Sequence, residues 1–295
     1  MIEVRKVTMV YPSGKGIFDV DFTVKRGEVL GYLGPNGAGK TTTIRCMLGF
    51  TRPDAGTCSI GGLDSVARAP EIQKFLGYIP GEIAFLDGMT GSEFLKFMGK
   101  MRHIRDFSRQ KELIERFELD PRREIKKFSK GMKQKLGIVT AFMHDPDVLI
   151  LDEPTSGLDP LMQNRFVDLI LEQKKAGKTI LMSSHMFEEV ERTCDEVIII
   201  KDGRLVAKSD VGALKDAQRK AYVVKFRDAG DAQRLAAQGF EVDEVSGHAA
   251  RITVKGDEVS RFVRALSPLG IESLESKAQT LEEIFLNYYA TEGPA

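Results

Sequence analysis

Eight consecutive residues, Gly34-Pro35-Asn36-Gly37-Ala38-Gly39-Lys40-Thr41, match the pattern G-x-x-x-x-G-K-[ST] at every position. No other stretch constrains the fold as much, because this pattern works only between a buried strand and a helix. Both are legible in the chain. The apolar run Val29-Leu30-Gly31-Tyr32-Leu33 precedes it, and Thr42-Thr43-Ile44-Arg45-Cys46-Met47-Leu48 reads as a helix after it. The glycines let the backbone curl and present N–H groups to an anion with no Cβ in the way. The helix adds unpaired N–H groups and the positive end of its dipole, which favour phosphate. Lys40 is then placed for β- and γ-phosphates, and Thr41 offers a hydroxyl to Mg²⁺. The plainer explanation, a glycine-rich turn that binds nothing, does not account for eight positions in register.

A second stretch points to the same chemistry. In Asp147-Val148-Leu149-Ile150-Leu151-Asp152-Glu153, four apolar residues run straight into two carboxylates. That describes a central parallel strand, whose C-terminal end opens on the ligand crevice of an α/β sheet. Asp152 is suited to hold Mg²⁺ there. Glu153 faces differently and can take the proton of an attacking water. Thr179–Met182 reads as a further strand, ending in Ser183-Ser184-His185. A lone histidine is more often structural than catalytic, but strand C-terminal ends are where such sheets gather ligand contacts, so His185 is a candidate.

The run Arg122–Lys135 carries seven basic residues and one acid, Glu124. The usual fate of such a run is a solvated helix face. Here Ser129 is an N-cap residue type followed by Gly131 and a helical pattern, which builds a second helix N-terminus suited to an anion. Tyr11, before Pro12-Ser13-Gly14, is either a strand-end aromatic or a platform for stacking an adenine ring.

Around these stretches, Ile2–Tyr11 and Phe18–Val24 alternate as strands do, and Thr57–Ile60 and Phe75–Pro80 read as short strands. From Thr90 to about Asp145 the pattern is helical. Phe94, Leu95, Phe97, Met98 and Met101, and later Leu113, Ile114, Phe117 and Leu119, recur as packing stripes. Pro154–Pro160 is a loop, followed by a helix to Gly177. Glu196–Lys201 and Arg204–Lys208 form a hairpin over Asp202-Gly203. Val211–Gln218 reads as a helix.

From Ala221 the expected order is β-α-β-β-α-β, a ferredoxin-like α+β arrangement. Its strands are Ala221–Arg227, Phe240–Val245, Ala249–Val254 and Ile271–Ser276. Its helices are Asp231–Gln238 and Asp257–Ser267, with a last helix over Thr280–Tyr289. No catalytic cluster falls in this part. The expected domains are therefore 1–218, with a helical insert at about 88–145, and 219–295.

Lys plus Arg and Asp plus Glu each total 43 in 295 residues. That balance argues against a dedicated nucleic-acid binder, which carries a basic excess. The three cysteines, Cys46, Cys58 and Cys194, form no C-x-x-C pair, as expected of free thiols in a reducing cytosol. The apolar runs Val148–Leu151 and Val197–Ile200 are far too short to span a bilayer. Met1–Lys6 has no signal-peptide pattern. Any membrane role is expected to pass through a partner.

With these residues assembled, about the first 210 resemble the nucleotide-binding subunit of an ATP-binding cassette (ABC) transporter, with the motifs in the family's order. Gly34–Thr41 matches Walker A. Asp152 and Glu153 match the end of Walker B and the catalytic glutamate, and Ser156–Asp159 matches the D-loop. His185 matches the switch histidine at the γ-phosphate, and Tyr11 the aromatic that stacks on adenine. Phe128-Ser129-Lys130-Gly131-Met132 stands where the family has Leu-Ser-Gly-Gly-Gln. Lys130 and Met132 depart from that signature, while Ser129 and Gly131 remain. In Tyr78-Ile79-Pro80-Gly81-Glu82, Gly81 replaces the usual glutamine, and Glu82 is the candidate substitute at the metal.

The resemblance implies a P-loop α/β core with an antiparallel β subdomain and a helical subdomain. It implies ATP and Mg²⁺ as cofactors. Contacts to nucleotide would come from Tyr11, Gly34, Pro35, Asn36, Gly37, Ala38, Gly39, Lys40, Thr41, Thr42, Ser129, Gly131 and Asp159. Metal contacts would come from Thr41, Asp152 and Glu82. Two such domains would face each other head to tail, as a homodimer or with a paired homologue, Walker A of one and the signature of the other enclosing each ATP. Closure and opening would drive a transmembrane permease subunit, an exporter of drugs, lipids or polymers. The chain would then sit peripherally on the cytoplasmic face of the membrane. The C-terminal part resembles the accessory domain of bacterial exporter ATPases.

Two other readings compete. Members of the family that act on ribosomes usually carry two cassettes in one chain, and those that act on DNA carry coiled-coil or zinc insertions; this chain has neither. A regulator that only binds ATP is disfavoured by Glu153 and His185. Lys40→Ala is expected to abolish tight Mg-ATP binding while the fold is retained. Calorimetry checks this, and parental affinity in the variant would remove Lys40 from the site.

Overall fold

The computed structural model describes residues 1–86, 88–216, 220–254 and 258–278. The helix expected over Thr280–Tyr289 lies outside the described residues. The chain forms two compact units, Met1–Ser209 and Asp210–Ala295.

The first unit opens with β1 (Ile2–Val10), β2 (Gly16–Val24), β3 (Val29–Leu33) and α1 (Lys40–Met47). Next come β4 (Ala55–Ile60), β5 (Leu63–Asp64), α2 (Ala69–Phe75) and β6 (Leu76–Ile79). The helical stretch contains α3 (Gly91–Met101), α4 (Ser108–Arg116), a 3-10 turn at Ile125–Lys127 and α5 (Lys130–Phe142). The unit continues with β7 (Val148–Asp152), α6 (Pro160–Lys175), β8 (Thr179–Ser184), α7 (Phe187–Thr193), β9 (Glu196–Lys201) and β10 (Arg204–Asp210).

Two sheets result. One has the order β2-β1-β4-β5, with antiparallel pairing; the other is six-stranded, β10-β9-β3-β8-β7-β6. From β9 through β6 the second sheet is parallel. Strands β3, β7 and β8 are buried at every position, which is why their sequences run apolar instead of alternating. A single core joins the antiparallel sheet (Val4, Val20, Phe22, Ile60), α1 (Ile44, Met47) and the parallel sheet (Leu30, Ile150, Leu181, Ile198). Helix α1 is thus clamped between the sheets, and its N-terminus is held at the strand ends.

The helical stretch is less uniform than its periodicity implied. Thr90 and Glu93 form a reciprocal capping box that starts α3. The basic run is not one helix face: Glu124 takes Lys126 at 2.9 Å and Lys127 at 3.4 Å around the 3-10 turn, and Arg122 pairs with Asp120 at 2.8 Å. Helices α2 and α7, seven residues each, were not legible, because two turns carry too few apolar residues to show a period.

The second unit contains α8 (Val211–Asp216), β11 (Lys220–Phe226), α9 (Ala229–Ala236), β12 (Glu241–Ser246), β13 (Ala249–Val254), α10 (Val259–Leu266) and β14 (Ile271–Ala278). The antiparallel order β12-β13-β11-β14 is ferredoxin-like, with Val224, Phe226, Leu235, Ile252 and Phe262 in its core.

One half-buried polar contact ties the helical stretch to α2. Arg102, at the C-cap of α3, donates from Nη1 to the Gln73 carbonyl at 2.9 Å and to His144 Nε2 at 2.7 Å. Burial, and then the neighbouring guanidinium, lower the His144 pKa to about 4. The folded state therefore holds His144 neutral where the unfolded chain protonates it at an ordinary ~6.5. This group's contribution is fully present above that value and is lost as pH falls toward 4. Denaturant midpoints should decline over this window, and His144→Asn should flatten that part of the profile. An unchanged slope in the variant would dismiss the linkage.

Candidate functional site

The glycine-rich loop leaves β3 at Leu33 and enters α1 at Lys40, two residues earlier than expected. Gly39 makes this possible: its φ of 111° is a conformation that residues with a side chain rarely adopt, and a Cβ there would lie 2.7 Å from Ile17 Cγ2. Ala38 N–H donates to the Pro35 carbonyl at 3.2 Å. Gly203, in the β9–β10 turn, donates its N–H to the Ala38 carbonyl at 2.9 Å. The Thr43 hydroxyl bonds Tyr32 Oη at 3.0 Å and donates to the Gly39 carbonyl at 3.0 Å. The loop is held on three sides by its own fold.

Lys40 is only 5% exposed, and its ammonium donates to the carbonyls of Gly34 at 2.6 Å and Pro35 at 3.3 Å. It lies 3.5 Å from Glu153 Oε1. Thr41 Oγ1 donates to Asp152 Oδ2 at 2.8 Å, joining the start of α1 to the end of β7. Asp152 is 1% exposed, and Ser183 of β8 donates its hydroxyl to Oδ1. Glu153 has φ 47°, in the left-handed region, where a side chain carries a steric cost. Its N–H reaches the Ser183 carbonyl at 3.2 Å and Oγ at 3.1 Å. That kink turns its carboxylate away from the line of the strand, between Lys40 and His185, whose Nδ1 is 3.6 Å from Oε2.

A cleft of about 310 Å³ opens over the loop. Tyr11 stands on one wall; Asn36, Gly37, Gly39, Lys40, Thr41 and Thr42 form the floor, and Glu153 closes an end. Ser13 and Lys15 also line it. Sequence reasoning passed over them, although two polar residues beside Tyr11-Pro12 in a turn facing the loop were the available signal. A second recess, about 410 Å³, lies against Thr41, Asp152 and Glu153 and reaches Glu82, Arg45 and Lys130. A Cβ on Gly81 would come within 3.1 Å of Asp152 Oδ2, so this backbone rests directly against the carboxylate.

Seven expected residues line neither recess: Gly34, Pro35, Ala38, His185, Ser129, Gly131 and Asp159. Ser129 caps α5, its Oγ accepting from Met132 N–H at 3.2 Å. Gly131 packs on the loop after β7, where a Cβ would meet the Gly157 carbonyl at 2.7 Å. Asp159 caps α6, its Oδ1 accepting from Met162 N–H at 3.0 Å.

The family profile described as ABC transporter matches residues 17–156. The ABC transporter ATP-binding protein NatA of Bacillus subtilis strain 168 is 38% identical over 211 residues, 70% of this chain and 86% of NatA. The daunorubicin/doxorubicin resistance ATP-binding protein DrrA of Streptomyces peucetius is 33% identical over 302 residues, 97% of this chain and 91% of DrrA. The chain belongs to the ABC transporter ATP-binding protein family. A solved structure described as an ATP-binding subunit of an ABC transporter is 35% identical, with a TM-score of 0.66 over 73% of this chain and 92% of that one. This ABC protein is thus an ATP-binding ATPase subunit.

Ser183, which sequence reasoning treated only as the end of a strand, supports both acids of this ATPase. Ser183→Ala should cost about 1–3 kcal/mol by leaving a buried carboxylate oxygen underbonded. It should also lower ATP turnover by loosening Glu153. Denaturant unfolding with a steady-state ATPase assay checks both, and parental values in each would show the Ser183 hydroxyl to be dispensable.

Proposed function

We propose that this chain powers export through a separate transmembrane subunit, by closing on a second ATPase chain around ATP and reopening after hydrolysis. The observation that carries this reading is the division of the site. Lys40, Thr41, Asp152, Glu153 and His185 are joined by contacts of 3.6 Å or less, while Ser129 and Gly131 line neither recess, although Lys130 between them lines the second. The first turn of α5 carries no acidic residue, as suits a helix end meant for an anion. A second copy, or a homologue, facing the cleft head to tail would bring that helix end to the phosphates. Drug resistance in the name of DrrA supports export. Among the described residues no helix is long and apolar enough to cross a membrane, which fits a division of labour with a permease at the cytoplasmic face. The segment 81–86 and the helical stretch are assigned to its docking.

In this reading Tyr11 stacks on adenine, and the loop N–H groups and Lys40 hold the β- and γ-phosphates. Thr41 Oγ1 and Asp152 Oδ2 are adjacent hard oxygens, which fit Mg²⁺, and Glu82 is the further oxygen facing them. Among the described residues no group of three or more His, Cys, Asp or Glu could cage a metal. That suits an ion that keeps waters and phosphates in its shell. Mg²⁺, when bound, neutralises charge on the β- and γ-phosphate oxygens. Glu153 accepts the proton of the attacking water on its carboxylate, and His185 holds the γ-phosphate as that charge develops. Asp159 is assigned to the facing chain's site as part of the D-loop.

Glu153→Gln keeps size and hydrogen bonding but cannot take the proton. Turnover should fall about 10²–10⁴-fold with ATP binding retained. The variant should then form an ATP-dependent dimer visible by light scattering, and adding Ser129→Arg should disperse it. Hydrolysis near the parental rate would remove Glu153 as base. A dimer indifferent to Ser129→Arg would remove the shared site.

A further inference from the structure

Helix α7 begins two residues after His185 and carries Glu189, only 5% exposed. Glu189 Oε2 accepts the Ser184 hydroxyl at 3.2 Å. Ser184 Oγ in turn accepts the Met186 N–H at 2.9 Å. The hydroxyl therefore bridges across His185, with Glu189 Oε2 at 3.2 Å and the Met186 carbonyl at 3.4 Å as its acceptors. One buried carboxylate thus anchors the turn that presents His185.

The arrangement is costly. Among the described residues Glu189 pairs with no Lys or Arg, and its Oε1 has no hydrogen-bond partner. Burial raises its pKa above the ordinary carboxylate value. A buried acid without a cation is unfavourable for folding alone, and an apolar residue would pack there at less cost.

We infer that Glu189 is a positioning residue for ATP hydrolysis, fixing the Ser184–Met186 turn so that His185 meets the γ-phosphate in one geometry. This rests on the reading of His185 given above. Glu189 touches no phosphate and is not itself catalytic. It acts through the Ser184 hydroxyl and the backbone around His185. Misplacement of a catalytic group by about 1 Å can cost ~10²-fold in rate.

The experiment is a double-mutant cycle on the full chain. Single-turnover rates and the KM for ATP are measured for Glu189→Ala, Glu189→Gln, His185→Ala and the pair Glu189→Ala/His185→Ala. Glu189→Ala should lower the rate about 10- to 100-fold, with KM changed less than about twofold, since the phosphate loop is untouched. Glu189→Gln should recover most of the rate, because an amide oxygen still accepts from Ser184. In the His185→Ala background, Glu189→Ala should add little, as expected for residues acting as one unit.

An unchanged rate in Glu189→Ala, a change in KM alone, or an equal fold-loss in both backgrounds would overturn the inference. A parental rate in His185→Ala would instead strike the reading of His185, so the two failures are distinguishable. Should Glu189→Ala not fold, Ser184→Ala removes the other end of the same hydrogen bond and takes its place in the cycle.

Discussion

Parallel pairing across β3, β8 and β7 puts Leu33 beside Ser184 and Asp152 beside Ser183. The strand ends therefore form a row, and α1 starts at one end of it. The Thr41–Asp152 hydrogen bond, 2.8 Å long, closes this row into a ring of donors and acceptors. Were β8 displaced by one residue, its alternation would turn Ser183 to the opposite face and leave Asp152 and the Glu153 N–H without it. The positions of the two acids, the lysine and the histidine all depend on that register.

Charge in the ring is balanced locally. Lys40 and Asp152 are almost fully buried, yet each has protein partners: the lysine holds two loop carbonyls and Glu153, and the aspartate holds two hydroxyls. Buried charge is tolerable only with such partners.

Gly81, Glu82 and Lys130 fall on one side of this ring. Gly81 brings bare backbone against Asp152, and Glu82 faces the same recess. Lys130, in the signature segment, lays its stem against Gly157, where a Cβ would come within 2.9 Å of Lys130 Cγ, and its side chain lines that recess. That recess is lined by the carboxylates of Glu82, Asp152 and Glu153 and by the Lys130 and Arg45 cations.

The sequence by itself determined the phosphate loop, the acid-ended strand and most strands and long helices, because each is a local pattern. Glycine placement, apolar runs and period-2 or period-3.6 spacing are written residue by residue. It also carried the ferredoxin-like order of the second unit, since strand and helix runs alternate clearly from Ala221 to Ser276. The tertiary structure alone decided which strand ends are neighbours. Only strand order makes Ser183 a partner of Asp152 and opens Ser13 and Lys15 onto the cleft. These contacts join residues up to more than a hundred positions apart, as Thr41 and Asp152 show at a separation of 111. No local period records such a pairing; it is set when apolar strands exclude water together and their registers lock.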